Sequence, residues 1–118
     1  MIILKRVYEP ATRDDGFRIL VERLWPRGLS KQAAHIDLWL KDISPSPELR
    51  TWYRHDVTKW IEFQRRYRAE LRGNQFVSQL QSLLLEKGTI TFVYASRDEE
   101  HNSARVLKGF LEERSRRD

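Results

Sequence analysis

The densest grouping of reactive side chains in the sequence is Tyr94-Ala95-Ser96-Arg97-Asp98-Glu99-Glu100-His101-Asn102. Acids, an imidazole and an amide gather there within five positions. Asp98 and His101 are three apart, which on a helix places them on one face. Such a pair can share a proton or a metal ion, and Arg97 beside it can hold an anion. A purely structural account also exists. Ser96 and Glu99 form a capping box, and Glu99 and Glu100 suit a helix dipole. That account covers the two glutamates but leaves His101 and Asn102 unexplained.

Two further groups qualify. Arg23-Leu24-Trp25-Pro26-Arg27-Gly28 follows an alternating apolar segment. Arg27 and Gly28, just ahead of a helix start at Ser30, can bind an anion through guanidinium and free backbone N–H groups. The competing account is a Trp25-Pro26 turn packed on the core with Arg27 in solvent. Trp52-Tyr53-Arg54-His55-Asp56 places an imidazole beside a carboxylate, an acid/base pair or part of a metal site. Here Asp56 also reads as a helix cap and His55 as a cation suited to a helix C-terminus. Lys41 joins Arg23, Arg27 and Arg97 as a candidate for holding an anion. His35, at the end of a short helix, reads as structural.

The elements that must position these groups follow from pattern. Strands are expected over 2–8 and 17–24, the second alternating Phe17, Ile19, Val21 and Arg23 on one face with Arg18, Leu20, Glu22 and Leu24 on the other. Ser30 starts a short helix to about His35, and 36–42 reads as a short third strand. Ser46-Pro47-Glu48 is a helix start, with a hydroxyl cap, Pro at the first position and an acid in the first turn. That helix ends near Arg54. Asp56 caps the next, over 57–72, with an inner stripe of Trp60, Phe63, Tyr67 and Leu71. A helix over 75–87 stops at Gly88, and 89–95 is a buried strand. The last helix is expected from about Asp98 to Arg114, with residues 113–118 a frayed tail. Strands alternating with helices mean an α/β domain, a small mixed or mostly parallel sheet with helices on both faces. In such sheets ligands sit beyond the carboxyl ends of strands.

Composition narrows the function. One core suits 118 residues with 40% apolar content, so a single domain spanning 1–118 is expected. The chain has no Cys, which excludes disulfide scaffolds, thiol nucleophiles and cysteine metal sites. No stretch approaches a membrane span and no secretory signal is present, so the reading is a cytoplasmic protein without membrane partners. P-loop, dinucleotide, zincin and hydrolase motifs are absent. Net charge is +5, and 16 of the 22 basic residues are Arg, whose flat fork suits oxyanions.

Several blocks together resemble a known family. Leu24-Trp25-Pro26-Arg27-Gly28, Asp37-Leu38-Trp39-Leu40-Lys41-Asp42, Pro45-Ser46, Leu49-Arg50, Trp52, His55-Asp56, Phe63, Arg66-Tyr67 and Tyr94-Ala95 followed by Asp98-Glu99-Glu100-His101-Asn102 are similar to the YeaO-like branch of the domain-of-unknown-function 488 family. The resemblance spans nearly the whole chain. It implies a small bacterial or archaeal cytosolic α/β protein and no particular activity. Ser96-Arg97 stands where the pattern has Ala-Lys, and Tyr53-Arg54 where Phe-Gly is common.

The leading expectation is a small-molecule enzyme or binding protein for a phosphate- or nucleotide-like anion. Arg23, Arg27, Lys41 or Arg97 would hold the charge, with Trp25, Gly28 and Asn102 around it. Asp98 and His101 would move a proton, with His55 and Asp56 in support. One alternative is nucleic-acid binding through Arg-rich helices, with Gln64-Arg65-Arg66-Tyr67-Arg68 and Arg72 as the contact strip. Another is a divalent metal held by His55, His101 and carboxylates. No organic cofactor is expected.

Overall fold

The computed structural model of the chain describes residues 1–117; Asp118, the end of the tail expected to fray, lies outside the described residues. Four strands form one sheet: β1 (Ile2–Arg6), β2 (Phe17–Leu20), β3 (Leu38–Trp39) and β4 (Ile90–Tyr94), in the order β1-β4-β2-β3. Every neighbouring pair is parallel. Central β4 is buried along its whole length, as a β-branched, apolar strand covered on both faces must be. Its Ile90 pairs with Ile2 on one side and Phe17 on the other.

The helices are α1 (Lys31–Ala34), α2 (Pro47–Tyr53), α3 (Trp60–Arg72), α4 (Val77–Lys87) and α5 (Ser103–Arg117). They divide unequally between the two faces. Helices α2 to α5 cover the face of Ile19, Ile90 and Phe92, where Tyr67, Leu80, Leu107 and Leu111 complete the main core. The single turn of α1 covers the other face, where Leu20 and Val93 meet Ala34, flanked by Trp25 and Trp39. This second face also holds a buried polar network. Asp15 takes Arg18 Nη1 at 2.6 Å and Lys5 Nζ at 3.1 Å. Arg18 donates onward to the carbonyls of Ala34 and His35, and the Thr91 hydroxyl donates to the Asp15 carbonyl.

The α2 start forms as its sequence dictates: Ser46 Oγ accepts the Leu49 N–H, and Pro47 opens the helix. Asp56 caps a 3-10 turn, Val57–Lys59, that leads into α3, and Phe63, Tyr67 and Leu71 form the buried stripe. Several boundaries differ from expectation: β1 ends at Arg6 rather than at residue 8, and α4 begins at Val77 rather than at residue 75. Strand β2 stops at Leu20, where its pairing with both β4 and edge strand β3 ends. The rest of the segment expected as a third strand is a 3-10 turn, Lys41–Ile43. Helix α5 begins at Ser103 rather than Asp98. The carboxylate of Asp98 accepts the N–H groups of Glu100 and His101 in a local turn, and Ser96 Oγ accepts the Asp98 N–H. Asn102 is the true cap, its Oδ1 accepting the Arg105 N–H at 3.0 Å.

Candidate functional site

The chain leaving β2 turns to α1 on one face of the sheet, and the chain leaving β4 turns to α5 on the other. Loops that diverge from adjacent parallel strands leave a crevice between them, the usual ligand position in open α/β sheets. A cleft of about 540 Å³ lies at that point, between the segments after β2 (Glu22, Arg23) and after β4 (Ala95, Ser96). Helix α2 closes it with Arg50 and Tyr53, and the loops beyond supply His55 and His101.

Glu22 forms one side of the cleft, where its Oε1 accepts the Ala95 N–H at 2.8 Å. Burial pushes the Glu22 carboxyl up; the Ala95 N–H and the charges of Arg50 and His55 pull against that, but burial wins. Among the described residues no protein group hydrogen-bonds its other oxygen. Arg23 is loosely held, with Nη2 3.4 Å from the Pro45 carbonyl and Nη1 3.5 Å from Asp42 Oδ1. Its Nε is buried with no hydrogen-bond partner among the described residues. Arg50 makes no ion pair among the described residues and is exposed.

His101 is held from two sides. Its Nδ1 lies 2.9 Å from Asp98 Oδ2, and its ring stands edge-on to Trp60 at 5.2 Å. Burial would raise the Asp98 carboxyl, but the His101 N–H, the imidazole and the Glu100 N–H outweigh it and hold the acid below its ordinary value. Asp98 is therefore ionised at neutral pH, so His101 carries a proton on Nδ1, directed at the carboxylate, and its Nε2 is the ring atom left for a ligand. Tyr53 packs 4.4 Å from Phe63, and its phenol is pushed up by burial and by the Asp98 and Asp56 carboxylates. Arg54 and His55 both have left-handed backbone, φ 47° and 57°, which turns the His55 side chain into the cleft.

Of the residues singled out in the sequence, Arg23, His55, His101 and Asn102 meet at this cleft. Asp98 stands behind His101. Asn102 has both ends of its amide occupied, by the Asp98 carbonyl and the Arg105 N–H. The others are elsewhere. Asp56 binds the N–H and hydroxyl of Thr58. Trp25 packs on the second face, its indole N–H on the Leu29 carbonyl at 2.7 Å. Arg27 is exposed, and its carbonyl accepts the Tyr8 hydroxyl; Gly28 makes an open turn at φ 77°. The Lys41 ammonium sits over the Trp39 ring at 4.1 Å, and Arg97 is exposed. No group of three or more His, Asp or Glu is placed to hold a metal among the described residues. Sequence reasoning passed over Glu22, Arg50 and Tyr53 as site residues. The signal available was an acid beside an arginine just beyond a strand's carboxyl end.

These features define a small parallel α/β protein with one switch-point cleft. The chain belongs to the DUF488-N3i family, the inactive DUF488-N3 subclade, whose model matches residues 1–118. It is 39% identical over 107 residues to the uncharacterised protein YeaO of Escherichia coli K12, covering 91% of this chain and 93% of that one. The uncharacterised protein Rv3073c of Mycobacterium tuberculosis H37Rv is 40% identical over 106 residues, covering 90% and 89%. No solved structure gives a significant match. Among the described residues no helix is long and apolar enough to cross a membrane.

Proposed function

We propose that this protein binds a small phosphate-bearing anion in the cleft between β2 and β4. The observation that carries the reading is the state of Arg23, a guanidinium in the cleft held only by two long contacts, with a buried and unpaired Nε. A buried donor without a partner costs about 1–3 kcal/mol. A side-chain adjustment toward a ligand oxygen removes that penalty. Arg50 supplies the second positive charge, and His101 offers Nε2 to a proton on the ligand. The subclade's description as inactive favours binding over turnover.

Nucleic-acid binding draws less support. Arg65 and Arg66 pair with Glu62 at 2.6 and 2.8 Å, and Arg68 pairs with Glu113 at 2.8 Å, so phosphates would have to displace carboxylates. The test is a thermal-melt screen against inorganic phosphate, phosphorylated metabolites and nucleotides, with Arg23→Ala, Arg50→Ala and His101→Ala alongside. A ligand at a hundred times its Kd adds about 2.7 kcal/mol, roughly 10 °C for a domain of this size. The expected result is a shift that the arginine variants abolish. No shift with any anion overturns the reading.

A further inference from the structure

Among the described residues Glu22 is the sole acid lining a cleft whose other ionisable walls include Arg23, Arg50, His55 and His101. A carboxylate repels a bound anion, so an anion site that contains one needs an account of it. Clamping the Ala95 N–H is half of that account, but it uses only Oε1. A neutral glutamine amide can accept the same N–H through its own oxygen, more weakly but without a charge that opposes the anion. The second oxygen has no protein partner among the described residues, and the side chain belongs to the cleft wall.

We infer that Glu22 is a specificity-determining residue, its Oε2 accepting a ligand hydroxyl while Arg23 and Arg50 hold a phosphate, so that the cleft selects phosphate esters of a sugar. This rests on the anion reading above and adds to it the ligand's second recognised group. The donor that meets Glu22 is a neutral one. An ammonium at that point would face the guanidinium of Arg50, whose charge already bears on the Glu22 carboxyl. A hydroxyl brings no such repulsion. Its hydrogen bond to the carboxylate also offsets the field that the carboxylate sets against the phosphate. The lining also includes edges of Tyr53, Phe63 and Pro45, apolar groups that a sugar ring can meet.

The experiment is calorimetric titration at pH 7.5 of the wild-type protein, Glu22→Gln and Arg23→Ala with three probes. Ribose 5-phosphate and adenosine 5′-monophosphate carry sugar hydroxyls; methyl phosphate carries none. Wild-type protein should bind one or both sugar phosphates at least about tenfold tighter than methyl phosphate, the range of one hydrogen bond to a charged group. The tighter of the two identifies the source as free sugar or nucleotide. Glu22→Gln should bring the ratio to within about threefold while methyl phosphate binds as well as before or better, through relief of repulsion. Arg23→Ala should weaken all three probes. Equal wild-type binding of sugar and methyl phosphates, or a ratio unchanged in Glu22→Gln, overturns the inference and leaves the anion reading standing. Wild-type protein that binds none of the three overturns both. The wild-type comparison needs no variant, so it decides the matter even where Glu22→Gln folds poorly.

Discussion

Glu22 and Ala95 are joined by a hydrogen bond of 2.8 Å that links the segment after β2 to the end of β4 across the mouth of the cleft. From the opposite side Arg6, the last residue of β1, donates Nε to the Ser96 carbonyl at 2.9 Å and Nη2 to the Ala95 carbonyl at 3.1 Å. The β4–α5 loop is thus clamped by both strands that flank β4. Its backbone is held in place before any ligand arrives, and such preorganisation lowers the entropy lost on binding.

The clamp predicts a pattern in amide exchange. Glu22→Ala removes a hydrogen bond to a carboxylate, worth about 1.5–3 kcal/mol. Exchange of the Ala95 amide should then quicken by tenfold or more, while Glu22→Gln keeps it protected. Equal protection in wild type and Glu22→Ala would mean that the bond does not hold the loop.

Asp98 and His101 predict a tautomer. With an ionised carboxylate at Nδ1, His101 carries a proton there, so nitrogen NMR should report a protonated Nδ1. Asp98→Ala should return the ring to the Nε2–H form that free histidine favours. The same acid bears on stability. Its value is lowered in the folded state, so its contribution is complete above the ordinary carboxylate range and is lost as pH falls through the lowered value. A neutral ring bare at Nδ1 and protonated only at Nε2 in the wild type would contradict the arrangement.

How much of this was legible in the sequence follows the range of the interactions. Ser46, Pro47 and Glu48 act within one turn, and helix α2 starts where they stand. The α3 stripe is a local period, and its buried residues are the expected ones. The start of α5 was misplaced because two local patterns compete. Asp98 binds two backbone N–H groups itself, so the helix waits for Asn102. Glu22 stayed hidden because its alternation with Arg18 and Leu20 reads as one long strand. Where β2 ends depends on how far β4 and β3 pair with it, and that is a tertiary fact. The meeting of Glu22 with Arg50 and Tyr53 depends on strand order, to which no local period points. Arg27 and Lys41 had the right chemistry for the cleft, but their chain segments run to other surfaces.

Asp15 predicts an acid limb to stability. Burial raises its carboxyl, but bonds from the Thr12 N–H, Lys5, the Thr12 hydroxyl and Arg18 outweigh it and leave the value at about 2, against an ordinary 3.8. The unfolded chain takes up the proton first. The stabilisation is therefore complete above pH 3.8 and disappears as pH falls through about 2. Asp15→Asn should flatten that part of the Tm profile. At neutral pH the same variant should cost about 3–5 kcal/mol, because Arg18 is left buried without its counter-charge. Parallel profiles for wild type and variant would show that Asp15 does not carry the acid limb.

Two glycines with positive φ should respond very differently to alanine. At Gly16, φ is 63° and an added Cβ would lie 2.3 Å from the Thr89 carbonyl oxygen, which is backbone and cannot step aside. At Gly28, φ is 77° and nothing lies within 4 Å. Gly28→Ala meets only backbone strain, on the order of 1–2 kcal/mol. Gly16→Ala meets the strain and the clash together and must shift β2 against β4, so its Tm loss should be at least twice as large. Similar losses would mean that Gly16 has more room than the sheet allows it. A small Gly28→Ala effect on anion binding would also fit the position of Gly28 outside the cleft.

Arg54 and His55 give the last test, which separates stability from binding. Both have left-handed backbone, and Arg54 is the residue that ends α2, its N–H bonded to the Arg50 carbonyl at 3.0 Å. Glycine is the residue best suited to such a position. Arg54 is exposed and lies outside the cleft lining. Arg54→Gly should therefore raise stability by about 0.5–1 kcal/mol, a few degrees of Tm, with anion affinity unchanged. His55→Gly relieves the neighbouring strain in the same way but removes a side chain from the cleft. It should keep or raise Tm while weakening the anion. Were His55→Gly to melt well below wild type, His55 would be supporting the fold rather than the cleft. If Arg54→Gly also failed to stabilise, the strain assigned to the pair would be absent.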